Sequence, residues 1–66
     1  MTVTVNGDRL DLPPGTTLAD LVTQLVPSSQ GVAAALNGEV VPRRAWPDTP
    51  LTGGSVVEVV TAVQGG

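Results

Sequence analysis

Few side chains in this 66-residue chain could carry chemistry. Six acids, Asp8, Asp11, Asp20, Glu39, Asp48 and Glu58, stand against Arg9, Arg43 and Arg44, for a formal net charge of −3. His, Cys, Lys and Tyr are all absent. That excludes a catalytic imidazole, a thiol nucleophile, a Schiff-base lysine and a tyrosine acid. It also excludes zinc sites built from His and Cys, and any disulfide framework. An acidic chain with three arginines lacks the basic footprint of a nucleic-acid binder. Nothing in the spacing of the acids supports a paired-carboxylate site. Gly53-Gly54-Ser55 has neither the lysine nor the longer spacing of a phosphate loop, and reads as a tight turn into the last strand.

The remaining reactive group is on the main chain. The sequence closes on Gln64-Gly65-Gly66, which reads as a thin, flexible tail with a native carboxylate on Gly66. Two glycines without Cβ atoms could enter a narrow active site and approach a nucleotide closely. A terminal carboxylate is ionised at neutral pH. It can attack the α-phosphate of ATP to give an acyl-adenylate, which sulfur or nitrogen then displaces. A partner enzyme must supply the ATP site, Mg²⁺ and positive charge for this.

The elements that must position such a tail are legible from periodicity. Thr2-Val3-Thr4-Val5 alternates as a half-buried strand. Asn6-Gly7 is a hairpin signal, and residues 8–12 form the return strand, with Leu10 and Leu12 inward and Arg9 and Asp11 outward. Pro13-Pro14-Gly15 ends the hairpin. Thr17 and Asp20 have a capping-box spacing, and Leu18, Leu21, Val22, Leu25 and Val26 make one apolar helical stripe that Pro27 stops. Residues 32–37 read as a buried strand, Asn37-Gly38 as a second hairpin turn, and Glu39-Val40-Val41 as an edge strand limited by Pro42. Residues 42–55, with three prolines and two glycines, read as a long surface loop. Trp46 in that loop reads as a lid over the core edge, and Arg43 and Arg44 as solvated. Residues 56–63 are the last strand.

Val is the commonest residue, with 12 copies, which favours strands. The length allows one domain, 1–63, followed by the tail at 64–66. One helix can cover one face of a sheet, so the expected fold class is α+β, with one main helix packed across one face; the first and last strands, strong and apolar, read as central, and a parallel pairing of the two in a mixed sheet would let the helix cross that face. In the last strand, Val56, Glu58, Val60 and Ala62 share the side away from Val57, Val59, Thr61 and Val63. Three apolar residues around one acid on the solvent side make a candidate docking patch, with Arg43 as a further contact for an acidic partner group. Residues 1–12 lack the charged start and apolar run of a secretion signal, and no stretch approaches the roughly 18 apolar residues of a membrane span. No membrane association and a cytoplasmic location are the expectations.

These residues resemble the ThiS-type sulfur carriers of thiamin biosynthesis, which have the ubiquitin-like β-grasp fold. The resemblance covers essentially the whole length. It is most specific in Ala35-Leu36-Asn37-Gly38-Glu39-Val40-Val41-Pro42-Arg43, in Trp46, and in the last strand ending at Gly65-Gly66. Such carriers often have Gly-Asp where this chain has Gly54-Ser55, a departure that touches a turn and one partner contact. The resemblance implies a carrier rather than an enzyme, with no cofactor of its own. An E1-like adenylating enzyme would use ATP and Mg²⁺ to make the Gly66 acyl-adenylate. A persulfide from a sulfur donor such as a cysteine desulfurase would displace AMP and leave a thiocarboxylate. Thiazole synthase would accept that sulfur. The chain also resembles the small subunit of molybdopterin synthase, although that family usually runs longer and lacks the Pro42-Arg43…Trp46 pattern. A carrier for another pathway such as cysteine synthesis, a ubiquitin-like protein tag and a plain binding module are the other readings.

Overall fold

The computed structural model describes residues 1–28 and 30–61. The element order is β1 (Thr2–Val5), β2 (Asp8–Asp11), α1 (Leu18–Leu25), β3 (Val32–Leu36), β4 (Glu39–Val41), a 3-10 helix (Arg43–Asp48) and β5 (Val56–Thr61). The five strands form one mixed sheet in the order β2-β1-β5-β3-β4. β1 and β5 are parallel, and the β1–β2, β3–β4 and β3–β5 pairs are antiparallel. The first and last strands thus lie inside the sheet with the two hairpins flanking them, as expected from their strong apolar character.

Both hairpins turn on Asn-Gly pairs. Asn6 and Gly7 have φ of 50° and 87°, and Asn37 and Gly38 have φ of 51° and 87°. Positive φ at both central residues makes these type I′ turns, whose twist matches that of the strands they join. The two-residue loops fix register, setting Val5 opposite Asp8 and Leu36 opposite Glu39.

The helix begins on the expected capping box. Thr17 Oγ1 accepts from the Asp20 N–H at 3.2 Å, and Asp20 Oδ2 accepts from the Thr17 N–H at 3.0 Å. Two of the orphan N–H groups at the helix start are thereby satisfied. Leu18, Leu21 and Val22 are buried with Val3, Val5, Leu12, Val32, Ala34, Trp46, Leu51 and Val57 in one core on one face of the sheet. The far end of the predicted stripe is looser. The helix stops after eight residues, Val26 is already extended, and Leu25 is 42% exposed.

Two expectations are corrected. The strand read as buried over residues 32–37 runs over Val32–Leu36 and is buried on one face only. Val32 and Ala34 are buried, Ala33 is exposed, and Asn37 belongs to the turn. A run of apolar residues reads the same whether one face or both are covered, and here a single helix covers only one. Residues 42–55, read as a long surface loop with turns, are more ordered and more buried than that. They contain the 3-10 helix and send Trp46 and Leu51 into the core. Main-chain bonds tie the segment to the helix start: Leu18 N–H to the Thr49 carbonyl at 2.8 Å, and Leu51 N–H to the Thr16 carbonyl at 3.0 Å. Trp46 closes the core as expected, its indole N–H donating to the Val41 carbonyl at 2.8 Å.

Candidate functional site

Two features of the sheet bear on function: its open face and the strand that leads to Gly66. Along β5, Val57 is fully buried against the helix, while Val56 and Val60 are 45% and 63% exposed and Glu58 is exposed. The period-2 division of this strand therefore holds from Val56 to Val60, whereas Thr61, on the inward side by parity, is exposed. The antiparallel register brings Ala33 beside Val60, Ala35 beside Glu58, and Val40 beside Ala35. Ala33, Ala35, Val40, Glu58 and Val60 surround a shallow trough of about 150 Å³. Its floor is made of alanines, and its apolar walls are Val60 and Val40, the latter 78% exposed.

The same face is polar on its other half. Thr2 and Thr4 of β1 stand opposite Asp11 and Arg9 of β2, and both β2 residues are exposed as predicted. The open face is thus divided into a polar half on β1–β2 and an apolar half on β3–β5. Four lining residues, Ala33, Ala34, Ala35 and Val40, are not among the site residues read from the sequence. Their signal lay in register: the two-residue turn at Asn37-Gly38 obliges Ala35 to pair with Val40 and so puts both on one face.

Arg43 is exposed at the start of the 3-10 helix but does not line the trough. Arg44 is exposed too. Ala62, Gln64, Gly65 and Gly66 lie outside the described residues. Ser55 is buried in the turn before β5, where its Oγ accepts from the Thr52 N–H at 3.0 Å and bonds the Thr52 hydroxyl at 3.2 Å. It is a turn residue whose buried hydroxyl is engaged within the turn. Gly54, at φ 87°, completes that turn. Among the described residues, no group of three or more acids is placed to hold a metal ion, and no helix is long and apolar enough to cross a membrane.

A five-stranded mixed sheet with a parallel central pair and one helix across a single face is the ubiquitin-like β-grasp fold. Within that class the comparisons are specific. The sequence matches the ThiS family over residues 3–66, and the chain belongs to that family. It is 41% identical to the sulfur carrier protein ThiS of Thermus thermophilus over 64 residues, covering 97% of this chain and 98% of the relative. It is similar to the crystal structure of the thiamine biosynthesis protein ThiS from Geobacter metallireducens, with a TM-score of 0.84 at 32% identity and full coverage of both chains. A solution structure of a thiamine biosynthesis protein from the same organism gives a TM-score of 0.82 at 33% identity, covering all of this chain and 88% of the other.

Proposed function

We propose that this chain is a sulfur carrier of thiamin biosynthesis whose working group is the main-chain carboxylate of Gly66. The observation that carries the reading is the family match, which runs through Gly66. The near full-length identity to a sulfur carrier supports it. In the proposed cycle an E1-like adenylating enzyme binds ATP and Mg²⁺, and a Gly66 carboxylate oxygen attacks the α-phosphate. Pyrophosphate leaves and an acyl-adenylate remains. A persulfide sulfur from a donor such as a cysteine desulfurase then attacks the acyl carbon and AMP departs. Reductive cleavage of the resulting acyl disulfide by a thiol leaves the thiocarboxylate. Thiazole synthase takes the sulfur from there.

The chain acts as a protein co-substrate and its partners hold the catalytic groups. Its composition suits that role. With no cysteine or lysine, it offers no side-chain thiol for exchange and no side-chain amine for self-acylation. The apolar half of the open face, with Val56, Glu58 and Val60, is the proposed docking surface for the adenylating enzyme. Among the described residues it is a patch that packing leaves uncovered.

The test is mass spectrometry of the intact chain after incubation with ATP, Mg²⁺, the adenylating enzyme and a sulfur donor. Exchange of one C-terminal oxygen for sulfur is expected. A chain lacking Gly65 and Gly66 should keep its fold, because the core among the described residues lies between Val3 and Val57, and should take up no sulfur. Failure of the intact chain to exchange with a cognate enzyme would sink the proposal.

A further inference from the structure

The two Asn-Gly turns hold β5 from opposite edges. At the start of the strand, the Asn37 N–H donates to the Val56 carbonyl at 2.7 Å, and Asn37 Oδ1 accepts from the Val56 N–H at 2.9 Å. Further along, on the β1 edge, the Asn6 N–H donates to the Val57 carbonyl at 2.9 Å. The Asn6 side chain then reaches Val59: Oδ1 accepts from its N–H at 2.9 Å, and Nδ2 donates to its carbonyl at 3.1 Å. The second contact is unusual in using both ends of the amide. A parallel neighbour would offer Val59 one backbone carbonyl and one backbone N–H. β1 cannot provide them, because its pairing with β5 ends at Val5 and the chain turns away at Asn6. The Asn6 carboxamide stands in for the missing peptide groups and lengthens the β1 edge of β5 toward the C-terminus.

We infer that Asn6 is a positioning residue for Gly66: by pairing with Val59 it fixes, among the described residues, the last point at which β5 is held on its β1 edge, and so aims the chain that continues past Thr61. The inference rests on the proposed use of the Gly66 carboxylate. Without this contact the β1-edge hold retreats from Val59 to Val57, about 7 Å of strand. Val60, in the proposed docking trough, lies next to the released position. A docked carrier would then present its carboxylate to ATP in the reactive geometry for a smaller fraction of the time, and the rate falls with that fraction. β3 still pairs with β5 out to Thr61, so the loss is graded.

The experiment compares N6G with N37G. Both substitutions keep a turn residue that accepts positive φ, and both delete a side-chain clamp on β5. Two quantities are read: amide exchange at Val59, and kcat and KM for the carrier in pyrophosphate exchange with the adenylating enzyme. N6G should speed Val59 exchange at least about tenfold beyond any change at buried Val57, through local opening. It should lower kcat about 3- to 10-fold with KM unchanged, because β3 still pairs with β5 through Val60 and holds the docking trough. N37G should leave kcat unchanged. A purely structural role for Asn6 would instead reduce the amount of folded carrier, raising apparent KM and sparing kcat at saturation. If N6G folds poorly, N6D keeps the acceptor for the Val59 N–H, removes the donor to its carbonyl, and should lower kcat in the same direction. An active wild type with unchanged kcat in N6G and N6D would overturn this inference alone. A wild type that is never adenylated would overturn the functional reading, and this inference with it.

Discussion

Replacing Val60 with Gln tests the docking face directly. Val60 is 63% exposed beside a trough floored by Ala33 and Ala35. Full burial of a valine side chain is worth about 1.5–3 kcal/mol. The share left for a partner to cover is then about 1–2 kcal/mol. At about 1.4 kcal/mol per factor of ten, V60Q should raise KM for the carrier about 5- to 30-fold in pyrophosphate exchange. The fold should scarcely notice, since exposed substitutions cost within about 0.5 kcal/mol. That corresponds to a Tm change of at most about 4 °C for a domain of this size. Leu25→Gln is the matched control. Leu25 is also an exposed apolar residue, at 42%, but sits at the end of the helix on the covered side of the sheet. L25Q should leave KM unchanged. A well-folded V60Q with wild-type KM would refute the assignment of this face, and an equal rise in L25Q would show that the effect is not specific to it.

Trp46→Phe should lower Tm on the order of 10 °C by circular dichroism, because it removes the donor to the Val41 carbonyl inside a small core at a cost of about 1–3 kcal/mol. An unchanged Tm would mean that the indole bond contributes nothing. Thr17→Ala removes the side-chain acceptor for the Asp20 N–H and should lower Tm by about 4–8 °C, from a cap worth about 1 kcal/mol. A smaller loss than in an exposed Thr23→Ala control would contradict the capping account.

Local signals carried most of the fold into the sequence. Asn-Gly turns, the Thr17–Asp20 box and the alternation in residues 2–5 are all read within a few residues, and each acts where it is read. The errors fall where a tertiary partner decides. Whether the apolar run Val32–Leu36 is covered on one face or two depends on how many layers pack on the sheet. Leu51 and Trp46 are drawn inward by pairing between residues 49–51 and 16–18, a contact across some thirty positions that proline and glycine content hides. The candidate site divides in the same way. The outward parity of Val56, Glu58 and Val60 is local to one strand. The trough needs Ala33, Ala35 and Val40 as well, which only register supplies. The Asn6 side-chain bonds to Val59 span 53 positions, and no spacing rule would point to them.

The division of the open face argues that its apolar half is there to be covered. A face left to solvent alone has no reason to segregate its polarity, yet Thr2, Thr4, Arg9 and Asp11 gather on β1–β2 while Ala33, Ala35, Val40, Val56 and Val60 gather on β3–β5. The apolar half includes β4, an edge strand, where exposed valine invites unwanted strand pairing. The chain limits that hazard by keeping β4 to three residues and following it with Pro42. Val40 stays exposed on this shortened edge, which suits the proposed docking surface. Glu58, the acid on the trough, fits a partner that brings a cation along with its apolar surface. Because β5 both lines this trough and leads on to Gly66, a partner seated there would hold the strand whose end it modifies.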